Sequence, residues 1–182
     1  MRENFNKCLE MVLVHEGGFT ASKVDKGNAG DGHGNQGSTM LGVTSRVYAD
    51  WTGKPAPIEV MKQLTPEDVA PIYRKNYADR IHFDSLPSGL DWACLDWAIN
   101  SGASRPAKAI QRAVGATADG VIGPKTLQLV AEKDPEFIID YVYTVRQSFY
   151  ESLDDYKHFG RGWSRRNKET LHQAMEMAKG GK

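Results

Sequence analysis

The segment between Gly89 and Gly102 constrains the fold more than any other part of this 182-residue chain. Leu90, Trp92, Ala93, Cys94, Leu95, Trp97, Ala98 and Ile99 leave almost no polar face. A helix that is apolar all round cannot lie on a surface, so it must be a buried spine with other helices packed about it. Asp91, Asp96 and Asn100 interrupt it. Asp96 and Asn100 stand four apart, on one side of the helix, and buried polar groups need partners. They can line a cleft or tie neighbouring helices together.

Start and stop signals give the helices around this spine. The stripe Phe5, Cys8, Leu9, Val12 and Leu13 predicts an amphipathic helix from about Asn4 to Glu16. Thr44 is set as the N-cap of a helix through Val47, Tyr48 and Trp51, closed by Gly53. Thr65-Pro66-Glu67-Asp68 combines an N-cap, a first-turn proline and acids, and opens a helix carrying Val69, Ile72, Tyr73 and Tyr77. A further helix holds Ala109, Ile110 and Val114 and ends at Gly115; another opens at Pro124. Asp134-Pro135 caps a long helix reaching Leu153, and a last, basic helix is predicted from about Ser164 to Ala178. No alternation of strand and helix is visible. The fold class expected is mainly α, with one small loop or hairpin region after the first helix.

Composition sets limits on this reading. Hydrophobic content of 40% and charged content of 25% are ordinary for a globular protein. No apolar run approaches the roughly 18 residues of a membrane span. Met1-Arg2-Glu3-Asn4 leads directly into a helix, without the apolar core of a secretory signal. Cys8 and Cys94 are the only cysteines, both among apolar residues, and are expected as reduced, buried thiols. No Cys/His spacing fits zinc, and no metal or cofactor is called for.

The chemistry points to Glu16. It continues the apolar stripe of the first helix at about 100° per residue, so its carboxyl faces the core or a cleft, and Gly17-Gly18 then stop the helix. An apolar wall favours the neutral form of a carboxyl, which suits a general acid. The Gly-, Asn- and Asp-rich stretch Thr20 to Thr39 follows directly and is expected to form one wall of that cleft. It contains Asp25, and Asp31 competes with it as a second acid. One carboxyl fixed on a helix and another on a facing loop is the layout of glycoside hydrolysis. A pair that leaves room for an attacking water would stand about 6.5–9.5 Å apart.

Other chemistries fit less well. The glycines at 27–37 lack the strand-to-helix setting and Lys-Ser/Thr of a phosphate-binding loop. Asp25, Gly27, Asn28 and Asp31 lack the closing Glu of a calcium loop. Ser38 and Thr39 sit in no nucleophile elbow. His15 lies about 100° round the helix from Glu16.

The residues Glu16-Gly17-Gly18-Phe19, Asp25 and Thr39-x-x-Gly42-Val43-Thr44 resemble the N-terminal signature of glycoside hydrolase family 108. The likeness continues through Tyr73-Arg74-Lys75-Asn76-Tyr77, Asp84-x-Leu86-Pro87 and Asp96-x-x-x-Asn100-x-Gly102. It then enters the family's C-terminal module at Gln111, Asp119-Gly120-Val121-Ile122-Gly123-Pro124-x-Thr126, Arg146-x-x-x-Tyr150 and Gly162-Trp163-x-x-Arg166. Phe19 stands where the family usually has Tyr, and Ala78 where it often has Trp.

The resemblance implies a lysozyme-like α fold, with residues 1–96 as the catalytic region and 97–182 as a peptidoglycan-binding region packed with it into one unit. It implies an N-acetylmuramidase of the endolysin type, cleaving the β-1,4 bond between N-acetylmuramic acid and N-acetylglucosamine. Glu16 is then the acid, and Asp25 orients water with help from Thr39 or Thr44. Tyr48, Tyr77 and Asn100 are candidate cleft residues. Synthesis in a host cytoplasm and release to the wall through a holin pore are also implied. The alternatives are a lytic transglycosylase, which also needs one Glu, and an idle wall-binding or secretion-accessory protein.

Charge is unevenly distributed. Residues 157–182 carry seven Lys/Arg against two Glu, a net +5, and the rest of the chain carries −5. Such an end suits a polyanionic partner. With the resemblance, that partner is peptidoglycan rather than nucleic acid or an inserted membrane, and Arg161, Arg165 and Lys168 are the contacts expected. A monomer is expected.

Overall fold

The computed structural model describes residues 1–21 and 30–180. Among them it is mainly α, with one two-stranded hairpin, and no described helix is long and apolar enough to cross a membrane. The chain divides into two compact units, Asn6–Arg74 and a second formed by Met1–Phe5 with Lys75–Lys182.

The first unit begins in α1 (Phe5–Glu16), whose Cys8, Leu9 and Val12 are buried as the stripe predicts. Strands β1 (Thr39–Met40) and β2 (Val43–Thr44) pair antiparallel, Thr39 with Thr44 and Met40 with Val43. The two residues joining them, Leu41 and Gly42, both have positive φ (49° and 75°), the pattern of a tight type I′ hairpin turn. Thr44 then caps α2 (Ser45–Thr52) by accepting from the Val47 amide at 3.3 Å, and Gly53 closes it in the left-handed conformation. A short helix not expected from the sequence, α3 (Ile58–Met61), buries Met61. In α4 (Pro66–Tyr73), Thr65 and Asp68 form a reciprocal capping box. Its regular helix ends at Tyr73 instead of continuing to Tyr77, and the chain goes on as a π-helical turn, Arg74–Ala78.

The second unit is organised on the spine, α5 (Leu90–Ser101), in which every residue from Leu90 to Ala98 is buried. Helices α6 (Ser104–Val114), α8 (Pro135–Glu151) and α9 (Tyr156–Gly180) pack against it, and α7 (Pro124–Ala131) packs on α6. Asp91 is buried at the start of the spine, where it accepts from Asn4 Nδ2 and the amides of Gly89 and Trp92. Asp96 is buried between two arginines: Arg146 Nη2 and Arg166 Nη2 each reach its carboxylate at 2.7 Å, and the Thr170 hydroxyl donates at 3.1 Å. Arg146 also donates to the Tyr150 hydroxyl at 2.8 Å. Asp96 therefore ties α5 to α8 and α9. Cys8 and Cys94 are buried and not joined in a disulfide, and burial pushes the Cys94 thiol well above its ordinary range.

The last helix starts two turns earlier than composition suggests, despite Gly160 and Gly162. The Tyr156 ring folds over Gly160, where a β-carbon would collide with it, and its hydroxyl meets Ser164 Oγ at 3.0 Å. The glycine that weakens the helix locally is what lets that ring lie down.

Candidate active site

Glu16 is the last residue of α1 and is partly exposed, while its neighbours Val14 and His15 are exposed. Gly17, at φ 75°, turns the chain away immediately after it. The hairpin turn approaches this carboxylate. A β-carbon on Gly42 would stand 3.1 Å from both the Cβ and Oε2 of Glu16, and would overlap the Tyr73 hydroxyl. Tyr73, buried in α4, donates that hydroxyl to the Leu41 carbonyl at 3.0 Å. The end of α1 and the end of α4 thus both lie against the hairpin tip.

The base of the loop between α1 and the hairpin is closed by a two-way bridge. Thr20 donates to the Thr39 carbonyl at 2.9 Å, and Thr39 to the Thr20 carbonyl at 2.8 Å. Thr39 and Thr44 are direct cross-strand partners, so their side chains share one face of the hairpin, both partly exposed. The Thr44 hydroxyl accepts from Val47 in its capping role.

Asp25 lies outside the described residues. Asp31 is 1% exposed and fully engaged. It accepts from the His33 amide at 2.8 Å, the Asn35 amide at 3.1 Å, Asn35 Nδ2 at 2.8 Å and the Ala56 amide at 2.8 Å. Burial pushes its pKa up, but the hydrogen bonds from Asn35, Ala56 and His33 outweigh it and hold the carboxyl well below the usual range. Such a carboxylate is a weak base whose lone pairs are already in use; its work is to fold the loop onto the segment before α3.

The other expected residues are dispersed. Tyr48 is half-buried on α2, and its carbonyl accepts from Thr52 Oγ1. Tyr77 lies in the π-helical turn, half-buried, and Asn100 lies exposed near the end of α5, its Nδ2 donating to the Asp96 carbonyl at 2.7 Å. Both belong to the second unit, as do Arg161, Arg165 and Lys168, which are exposed at helical spacing on α9. Arg165 is 3.9 Å from Glu169, a loose surface pair. Ala78 is fully buried and offers no face to a sugar, whereas Phe19 carries the Lys62 ammonium 5.2 Å above its ring.

Tyr73 is the site residue that periodicity missed, because it was absorbed into the apolar face of its helix. The signal was its hydroxyl, which needs a partner once the ring is buried.

Residues 9–102 match the family described as glycosyl hydrolase 108, a segment that holds Glu16, the hairpin and Tyr73. The chain belongs to that family. Residues 105–179 match a predicted peptidoglycan domain. The solved structure of Brucella abortus SagA is similar at 32% identity, with a TM-score of 0.80, over 98% of this chain and 97% of that one. No curated protein matches. This family 108 chain is therefore a glycoside hydrolase directed at peptidoglycan. Its two family segments meet at the end of the spine, so α5 lies in the first segment while packing among helices of the second.

Proposed function

We propose that the protein is an endolysin-type N-acetylmuramidase, with residues 1–96 supplying catalysis and 97–182 holding the wall. The observation that carries this reading is the placement of Glu16, partly exposed at the end of a buried stripe with a hairpin tip held against its carboxylate. Glu16 protonates the glycosidic oxygen as the bond from C1 of N-acetylmuramic acid to O4 of N-acetylglucosamine breaks. A water attacks C1 from the opposite face and gives its proton to Asp25, with Thr39 and Thr44 lining the hairpin side. The products are a reducing N-acetylmuramic acid end and a free 4-hydroxyl, with inverted configuration at C1. Tyr48, Tyr77 and Asn100 contact the glycan. The protein acts as a monomer, made in a host cytoplasm and released to the wall through a holin pore.

Mass spectrometry of digested sacculi tests the reading. Reducing muropeptides are expected, and Glu16→Gln should lower their yield by about 10²–10⁴-fold with the fold intact. Anhydro ends would make the chain a lytic transglycosylase, and no cleavage by the wild type would leave it a wall-binding protein. A folded Glu16→Gln chain that lyses normally would remove Glu16 from the reaction.

A further inference from the structure

The second unit contains an open cleft of about 290 Å³, lined by Asn100, Ser101, Arg105, Phe149, Tyr150 and Trp163. Its walls belong to an aromatic ladder. Trp97, buried in the spine, meets Phe149 at 6.3 Å between ring centroids, Phe149 meets Tyr150 at 5.8 Å, Tyr150 meets Trp163 at 5.5 Å, and Trp163 meets Phe159 at 5.9 Å. The ladder begins at 1% exposure and ends at Phe159, which is 57% exposed. Its inner rings hold helices together. Of the outer rings, Phe149 and Trp163 are partly exposed and line the cleft.

Arg105 completes the cleft. Its guanidinium lies 4.5 Å from the Phe149 ring centroid and donates to the Ser101 carbonyl, so it is held against that ring. Asn100 has its amide nitrogen committed to the Asp96 carbonyl, which fixes the carboxamide whose oxygen can accept from a ligand N–H. The lining thus combines aromatic rings and Leu153 with fixed donors and an acceptor, with no carboxylate among the lining residues.

That combination suits a pyranose ring. One face of the sugar presents polarised C–H groups, which the negative face of an aromatic ring attracts, while its edge carries hydroxyls and, in an amino sugar, an acetamido N–H. Every aromatic ring and the arginine of the cleft lie within the segment that matches the peptidoglycan domain. We propose that this cleft is a saccharide site that holds an N-acetylated amino-sugar ring of the glycan strand, with Trp163 as the stacking surface and Arg105 and Asn100 as polar anchors. The proposal rests on the peptidoglycan reading above but not on which bond is cut.

The test uses the full chain carrying Glu16→Gln and follows its four tryptophan indole N–H resonances by NMR during titration with triacetylchitotriose. A saturable shift of the Trp163 resonance is expected, weakened by about tenfold in Arg105→Ala, the loss of one anchoring hydrogen bond to a charged donor. Asn100→Ala should weaken it as well; both positions are exposed, so melting temperature is expected to stay constant. An unmoved Trp163 resonance, or a shift insensitive to both substitutions, overturns the proposal. So does a shift produced by a sugar-free stem peptide but not by the saccharide. Lysis of sacculi by the wild type is measured in parallel: lysis without the Trp163 response sinks the saccharide site alone, and the response without lysis sinks the muramidase alone.

Discussion

The backbone of Gly42 lies against the carboxylate of Glu16, so closely that a β-carbon there would stand 3.1 Å from Oε2. A β-carbon there would be both crowded and strained. The position combines a φ of 75° with contact on a carboxylate and on a tyrosine hydroxyl, and each alone would favour glycine.

Gly42→Ala is therefore expected to move Glu16 or the hairpin tip. The left-handed backbone by itself costs about 1–2 kcal/mol for a residue with a β-carbon. Misplacing the carboxyl by a fraction of an ångström to an ångström should lower lytic activity by about 10–100-fold. Lysis assays beside thermal melts check this; full activity in a stable alanine variant would show that the hairpin contact does not position Glu16.

Tyr73→Phe removes the hydroxyl that donates to the Leu41 carbonyl at the positive-φ turn. Loss of one such hydrogen bond should destabilise the chain by about 0.5–1.5 kcal/mol. The turn would then hold Glu16 less firmly, and kcat should fall more than KM changes. An unaltered kcat would make Tyr73 a structural residue only.

Asp25 and Asp31 should separate cleanly. Asp31→Asn loses an acceptor that four donors share, so its melting temperature should drop and its activity fall with the fold. Asp25→Asn should keep the melting temperature and lose the hydrolytic rate. The reverse pattern would transfer the water-orienting role.

Asp96 sets part of the acid response. Burial opposes its charge, but Arg146 and Arg166 beside it hold the pKa below the ordinary value. Its folded pKa lies below the unfolded one, near about 3.9, so its stabilisation is fully present above that pH and is lost as pH falls through the folded value. Asp96→Asn leaves two arginines facing a neutral amide and should cost about 3–5 kcal/mol at neutral pH. It should also flatten the melting profile between about pH 4 and lower values, without abolishing it, since Asp31 is held low too. An unchanged profile would discount the network.

The exposed Arg161, Arg165 and Lys168 should hold the chain on its substrate. Contacts between exposed charges weaken as salt shortens the Debye length to a few ångströms. Binding of Glu16→Gln to purified sacculi should decline with added salt and on reversing these three charges. Salt-insensitive binding, unchanged by the reversals, would leave this face merely solvated.

Local chemistry determined much of this protein from sequence alone. The caps at Thr44, Thr65 and Asp134 and the stop at Gly53 are set by neighbours a few residues away, so they fall where the chain predicts. The buried spine follows from composition, and the end of the first helix at Glu16 from the glycines after it. Tertiary structure decided what depends on groups distant in the chain. Asp96 and Asn100 could have lined a cleft; Arg146, Arg166 and Thr170, fifty to seventy-four residues away, made Asp96 a tie between helices. Asp31 could have served as a catalytic acid until Ala56 claimed one of its oxygens. Tyr73 read as core because periodicity sees the ring and not the hydroxyl, whose partner is thirty-two residues earlier. Sequence spacing fixes the direction of a side chain on its own helix, but the partner that assigns its role is brought by packing.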